Sequence, residues 1–219
     1  MSLESLQQKI GYEFKDKSLL NLAITHKSSN NFANNERLEF LGDSVLNSVI
    51  SQYLFSKFPN EKEGLLTRMR SHLVKGETLT VIANEMNLSE YIKLSKGTAN
   101  LSQNRKYSIL EGAIESIIGA VLLDSNWEQA NSFVLNLLQK ELANIATNKE
   151  FRDSKTELQE FIQSEKINLP KYQTIPSSEG FESSLEYKDN TFIAKGTSKR
   201  QAESSVAKKV LAFIKQKNV

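Results

Sequence analysis

The chain has 219 residues, 39% hydrophobic and 25% charged, with a formal net charge of +2 and no cysteine. Its length suits one medium domain plus a small one. The lack of cysteine excludes a disulfide framework, thiolate metal sites and thiol catalysis. Met1 to Gly11 is polar, with no apolar signal region. The longest apolar stretch, Ile114 to Leu123, contains Glu115 and is too short to span a bilayer, so the expectation is a soluble, cytoplasmic protein with no membrane partner.

Up to about residue 145 the pattern is helical nearly throughout. Apolar residues recur at spacings of three and four in Leu19–Ile24, Leu38–Phe55, Leu65–Val74, Leu79–Met86, Ile109–Leu123 and Trp127–Ile145. Loops are expected around Lys57 to Asn60, punctuated by Pro59, and over Gly97 to Asn104. The polar stretch 148–153 reads as a linker between a domain at 1–147 and a second at 154–219. The second part begins with an amphipathic helix over Ser154–Lys166. Strands follow over Lys171–Ile175, Phe181–Tyr187 and Thr191–Lys195, with a tight turn at Asp189-Asn190. A helix over Ser198–Lys217 closes the chain, its stripe of Ala202, Val206, Val210 and Phe213 facing inward. Residues 154–219 carry 11 Lys/Arg against 8 Asp/Glu, whereas residues 1–153 carry 17 against 18, so the positive excess lies in the last third. The fold class is mostly α: an all-helical domain followed by a small α+β unit of order α-β-β-β-α.

Two helices carry misplaced charge. Glu36, Glu39 and Asp43, spaced three and four apart, share one helix face, and like charges so placed repel. Leu38, Phe40, Leu41, Val45 and Leu46 between them leave too little polar surface for a solvated stripe. Gly42 in the interior lowers helix propensity, which requires a close approach by another backbone or a ligand. Glu111 and Glu115 stand one turn apart in a second helix, otherwise apolar and rich in small residues. A buried carboxylate needs a cationic partner or a metal. If the two acidic faces meet, oxygen ligands without Cys or His make a site for Mg²⁺ or Mn²⁺ rather than Zn²⁺. His26 and His72 lack partners at ligand spacing and read as structural hydrogen-bonding groups, and Asp124 as a cap or pair at its helix end.

Asn35-Glu36-Arg37-Leu38-Glu39-Phe40-Leu41-Gly42-Asp43-Ser44 resembles the signature helix of the bacterial ribonuclease III family. Thr25-His26-Lys27-Ser28 upstream, Gly64 to Arg70 downstream and the Ile109–Asp124 helix agree in order and spacing. Lys155 to Glu160 and Gly196 to Glu203 resemble the two helix motifs of a double-stranded RNA-binding domain. The resemblance implies a Mg²⁺-dependent endonuclease for double-stranded RNA, with Mn²⁺ as a substitute ion. It would process ribosomal RNA precursors, structured messengers and transfer RNA, and leave 5′-phosphate and 3′-hydroxyl ends with short 3′ overhangs.

The resemblance further implies that Glu39, Asp43 and Glu115 hold metal, with Asp43 and Glu115 catalytic and Glu36 and Glu111 as accessory acids. It implies a homodimer in which Phe40 enters the partner subunit; core packing is the other reading of Phe40. RNA contacts fall to Gln159, on 2′-hydroxyls, and to Ser198, Lys199 and Arg200, on phosphates across the A-form groove.

The chain departs from the family twice. Where the family has Asp three residues before the later Glu, this chain has Gly112, with Glu111 one place earlier and about 100° round the helix. That departure supports an alternative: a catalytically weakened regulator that binds double-stranded RNA. Between the first two strands, where the family offers a His, this chain has Phe181 and polar neighbours.

Overall fold

A computed structural model describes residues 2–30, 32–95, 102–145, 154–165 and 168–217. The chain divides into two compact units, Met1–Asn148 and Lys149–Val219. The expected linker falls outside the described residues, as does most of the expected loop from Gly97 onward.

In the first unit, α1 (Leu3–Ile10) starts where Ser2 Oγ accepts from the Ser5 N–H and ends at Gly11, whose φ of +70° is left-handed. The apolar pattern alone does not reveal this helix, because only Leu6 and Ile10 among its apolar residues are buried; the Ser2 cap and Gly11 stop are its sequence signals. Asp16 caps α2 (Lys17–Ala23) by accepting from the Ser18 N–H. The long α3 (Glu36–Lys57) follows, then α4 (Glu63–Val74), α5 (Gly76–Glu85) and a 3₁₀ turn at Leu88–Glu90. The second long helix, α6 (Gln103–Asp124), begins six residues before its apolar periodicity does. The Trp127–Ile145 stretch divides at Leu138 into α7 (Trp127–Leu137) and α8 (Gln139–Ile145).

Leu46, Ile50 and Leu54 of α3 and Ile114, Ile117 and Ile118 of α6 are fully buried, which makes these two helices the centre of the unit. Asp124 ends α6 by accepting from Tyr12 Oη at 2.8 Å and from the backbone N–H groups of Lys15 and Asp16.

In the second unit, α9 (Ser154–Ser164) precedes an antiparallel sheet of order β1-β2-β3, and α10 (Lys199–Lys217) ends it. The first strand is β1 (Gln173–Ser177), two residues beyond the expected position; β2 is Gly180–Tyr187 and β3 Asn190–Gly196. The β2–β3 turn sits on Lys188 and Asp189, not on Asp189 and Asn190: both have positive φ, and Tyr187 pairs with Asn190. Phe181 is not in the preceding loop. It pairs with Pro176 and Gly196 inside the sheet, leaving only Ser178 and Glu179 between the strands.

Leu158 and Ile162, Leu185 and Tyr187, and Val206, Val210 and Ile214 form this unit's core. Phe213 is only partly buried and meets Phe192 edge-on at 5.3 Å. Buried Glu203 holds Lys155 Nζ at 2.6 Å and accepts from Thr174 Oγ1, tying α9 and β1 to α10.

Candidate active site and RNA-binding surface

Two glycines set the geometry between α3 and α6. A Cβ on Gly42 would lie 1.7 Å from the Glu115 carbonyl oxygen, and one on Gly119 would lie 2.3 Å from that of Leu38. The two backbones therefore touch, as the helix-interior Gly42 requires. Ser116 Oγ adds a link, donating to the Gly112 carbonyl at 2.6 Å and the Asn35 carbonyl at 3.2 Å. This crossing brings the acidic face of α3 against the acidic face of α6.

Glu39 reaches across to α6: a Cβ on Gly112 would lie 2.7 Å from Glu39 Oε2. Glu39 is half-buried, and burial first, then the charge of Glu36, pushes its carboxyl upward. Glu115 is pushed up to about 8 by burial, then by Asp43, Glu111 and Glu39. Asp43 is exposed and accepts from Asn47 Nδ2 at 2.8 Å. Glu36 is exposed and already paired with Lys27 at 2.8 Å, so it borders the site rather than joining it.

Glu111 points elsewhere. A Cβ on Gly76 would lie 2.6 Å from its Oε2, so its carboxylate lies against the first residue of α5. It remains within Coulombic reach of Asp43, which, after burial, raises it further. It does not occupy the position beside Glu39.

A cleft of about 470 Å³ opens on this corner, its wall including Asn35, Glu36, Glu39 and Gly112 as well as His26, Lys27 and Arg105. Asn35 is 3% exposed, and its side-chain oxygen is buried without a hydrogen-bond partner. It is not the side-chain cap of α3; Asn34 Oδ1 accepts from the Glu36 N–H instead. His26 is structural, its Nδ1 meeting Ser28 Oγ at 2.9 Å and the Ser28 N–H at 3.1 Å, with burial, then Lys27, lowering its pKa. Sequence reasoning missed Asn35 and Arg105, because nothing in the spacing shows that the start of α3 and the first turn of α6 share a wall.

As they stand, no three acidic or histidine side chains among the described residues enclose a common point closely enough to hold an ion. The donor types nevertheless suit a hard divalent cation: Glu39, Asp43 and Glu115 are oxygen ligands without sulfur, and the orphaned Asn35 oxygen in the cleft that Glu39 lines is an acceptor that a hydrated ion's waters can satisfy.

In the second unit, Gln159 on α9 and Ser198, Lys199 and Arg200 at the start of α10 are all exposed. Ser198 caps α10 by accepting from the Gln201 N–H at 3.2 Å, and Gln201 Oε1 reaches back to the Thr197 N–H at 2.9 Å, close to a capping box. The cations thus stand at a helix N-terminus that already favours phosphate.

Comparison with known proteins decides the family. Residues 16–142 match the model of the ribonuclease-III-like family, and residues 154–214 match that of the double-stranded RNA binding motif. The chain belongs to the ribonuclease III family. Ribonuclease 3 of Colwellia psychrerythraea is 45% identical over 98% of this chain and 83% of its own length, and that of Hahella chejuensis 44% identical over 95% of each.

Among solved structures, the nuclease domain of ribonuclease III from Campylobacter jejuni, described as flexible in a region involved in dimer formation, is 46% identical. It has a TM-score of 0.61, covering 64% of this chain and 97% of that one. As a ribonuclease III the chain is a hydrolase, an endoribonuclease of double-stranded RNA, with an RNA-binding domain behind its nuclease domain. No helix among the described residues is long and apolar enough to cross a membrane.

Proposed function

We propose that this ribonuclease III hydrolyses double-stranded RNA with Mg²⁺ held by Glu39, Asp43 and Glu115, and that Mn²⁺ can replace it. The observation that carries this reading is the backbone contact of Gly42 with Glu115, which brings carboxylates from two distant helices to one corner. When bound, the cation supplies an acidified water and stabilises charge on the phosphate oxygens. Asp43, exposed and oriented by Asn47 on α3, and Glu115, recessed on α6, would hold it. Glu39, whose carboxylate lies against Gly112 of α6, would be the third ligand. Lys199, Arg200 and Ser198 engage phosphates and Gln159 the 2′-hydroxyls, which selects the A-form duplex by shape. The products carry 5′-phosphate and 3′-hydroxyl ends with short 3′ overhangs. Ribosomal RNA precursors, structured messengers and transfer RNA precursors are the substrates.

Two sites acting on opposite strands require a homodimer. Phe40 is 78% exposed on the nuclease unit, so it does not pack in its own core. A cleft of about 680 Å³ lined by Leu54, Phe55, Phe58, Pro59 and Leu66 offers an apolar seat for the same residue of a second copy.

The test is incubation of the full chain and its Glu115→Gln variant with a perfect RNA duplex, with and without Mg²⁺. Cleavage by the unaltered chain that needs Mg²⁺ and is lost on substitution supports the proposal. Duplex binding without cleavage at any Mg²⁺ concentration overturns it in favour of an RNA-binding regulator.

A further inference from the structure

Gln159 and Lys199 stand on different helices, and an ion pair joins those helices one turn from each of them. Lys155 lies four residues before Gln159 on α9, and Glu203 four residues after Lys199 on α10, so each shares a helix face with its neighbour. Lys155 Nζ donates to Glu203 Oε2 at 2.6 Å, and the two side chains are only 34% and 12% exposed. That bond is the first cause holding the Glu203 carboxyl below its ordinary range, so the pair is ionised.

The pair continues into the sheet. Thr174 Oγ1 on β1 stands 3.2 Å from Glu203 Oε1 and 3.0 Å from the Oγ of buried Ser183, its cross-strand partner on β2. Lys155 Nζ also lies 4.9 Å from the centre of the Tyr172 ring, just before β1. Two helices and two strands therefore meet at one carboxylate. Core stability does not explain this. Leu158 and Ile162 of α9 already share a core with Val206, Val210 and Ile214 of α10, and replacing such a pair by apolar residues of similar volume is often neutral or stabilising. Apolar contact has no direction, whereas hydrogen bonds to a carboxylate fix both distance and angle.

We infer that Lys155 and Glu203 are positioning residues for duplex recognition: their bond sets the separation of Gln159 from Lys199 and Arg200, and so matches this unit to the spacing of 2′-hydroxyls and phosphates in A-form RNA. The inference rests on the RNA-binding reading above and deepens it. Phosphate contacts alone carry no preference for one duplex over another, but two kinds of contact held at a fixed separation do.

The experiment compares the affinity of the full chain for an RNA duplex with that for the DNA duplex of the same sequence, in chelator so that nothing is cut, with calorimetric unfolding of each variant alongside. Lys155→Met combined with Glu203→Met removes the pair and keeps its bulk. The double variant is expected to retain the unfolding transition of the second unit while its RNA-to-DNA affinity ratio falls by about fivefold or more, as for loss of one hydrogen bond. Gln159→Ala should narrow the ratio in the unaltered chain and add little in the double variant, because both changes act on the same contact. If the double variant loses that transition, Glu203→Gln, which keeps the shape and removes the charge, is judged by the same ratio.

The inference is overturned if the folded variant keeps the full preference for RNA, or if Gln159→Ala narrows it as much without the pair as with it. In both cases the unaltered chain still prefers RNA and the RNA-binding reading survives. An unaltered chain that prefers neither duplex overturns that reading and this inference together.

Discussion

Gly42 on α3 faces the backbone carbonyl of Glu115 on α6 so closely that an added methyl carbon would stand 1.7 Å from the oxygen. The neighbour is backbone in a buried helix, so no rotamer change relieves the clash, and the helices must move apart. Gly42→Ala is expected to destabilise the nuclease unit by about 3 kcal/mol or more, at or beyond the upper end for overpacked cores, despite alanine's better helix propensity. Urea unfolding measures it. An unchanged midpoint would show that the two helices do not touch there.

That contact was partly legible in the sequence. A glycine inside an amphipathic helix signals a close neighbour, and the spacing of Glu36, Glu39 and Asp43 signals a shared face. The identity of the neighbour is not legible, because helix periodicity is local and the meeting of α3 with α6 joins residues more than 70 positions apart. Glu111 shows the limit from the other side: sequence places it one step from Gly112, but only the fold shows its carboxylate resting on Gly76. In the second unit the alternation of Leu185 and Tyr187 gives the buried face correctly. The turn residues are displaced by one because Lys188, an unremarkable residue for such a turn, takes the left-handed position.

Glu115 gives the nuclease unit a pH dependence of definite sign. Its carboxyl is raised in the folded state from 4.5 to about 8, chiefly by burial, so the fold prefers it protonated. The stability this group contributes is complete below 4.5 and is lost as pH rises through about 8. Glu39 and Glu111 shift in the same direction. In chelator, the melting temperature of this unit should fall as pH rises across that window, and Glu115→Gln should flatten the fall. If Mg²⁺ binds the ionised form, as proposed, adding it should oppose the fall increasingly toward the alkaline end. Parallel curves for the unaltered chain and the glutamine variant would rule out the Glu115 origin.

Lys199 and Arg200 stand exposed on the first turn of α10, with the N-terminal N–H groups of that helix beside them. If both contact phosphates, their contribution is counterion release and does not depend on sequence. Replacing both with alanine should weaken duplex binding equally for unrelated sequences. It should also reduce the slope of log affinity against log salt by about one for each cation removed. If the partner of Gln159 is the 2′-hydroxyl, as proposed, Gln159→Ala should leave that slope unchanged while narrowing the preference for RNA over DNA. Filter binding over a salt series separates the two. A salt slope indifferent to both cations would place the phosphate contacts elsewhere on the domain.

Phe40 is an apolar ring held out from α3 on the face away from the core, and Phe55, 74% exposed further along the same helix, borders the apolar cleft. Leaving two such rings in water is unfavourable, and a homodimer in which each Phe40 enters the other subunit's cleft removes that cost on both sides. Truncating a buried aromatic anchor typically costs 2 kcal/mol or more, so Phe40→Ala should raise the dimer dissociation constant by about 30-fold or more. Because the ring is exposed within one subunit, the substitution should leave monomer stability unchanged, which separates this effect from misfolding. Sedimentation equilibrium of the two proteins decides the matter: equal association by both would mean that the subunits meet through some other surface.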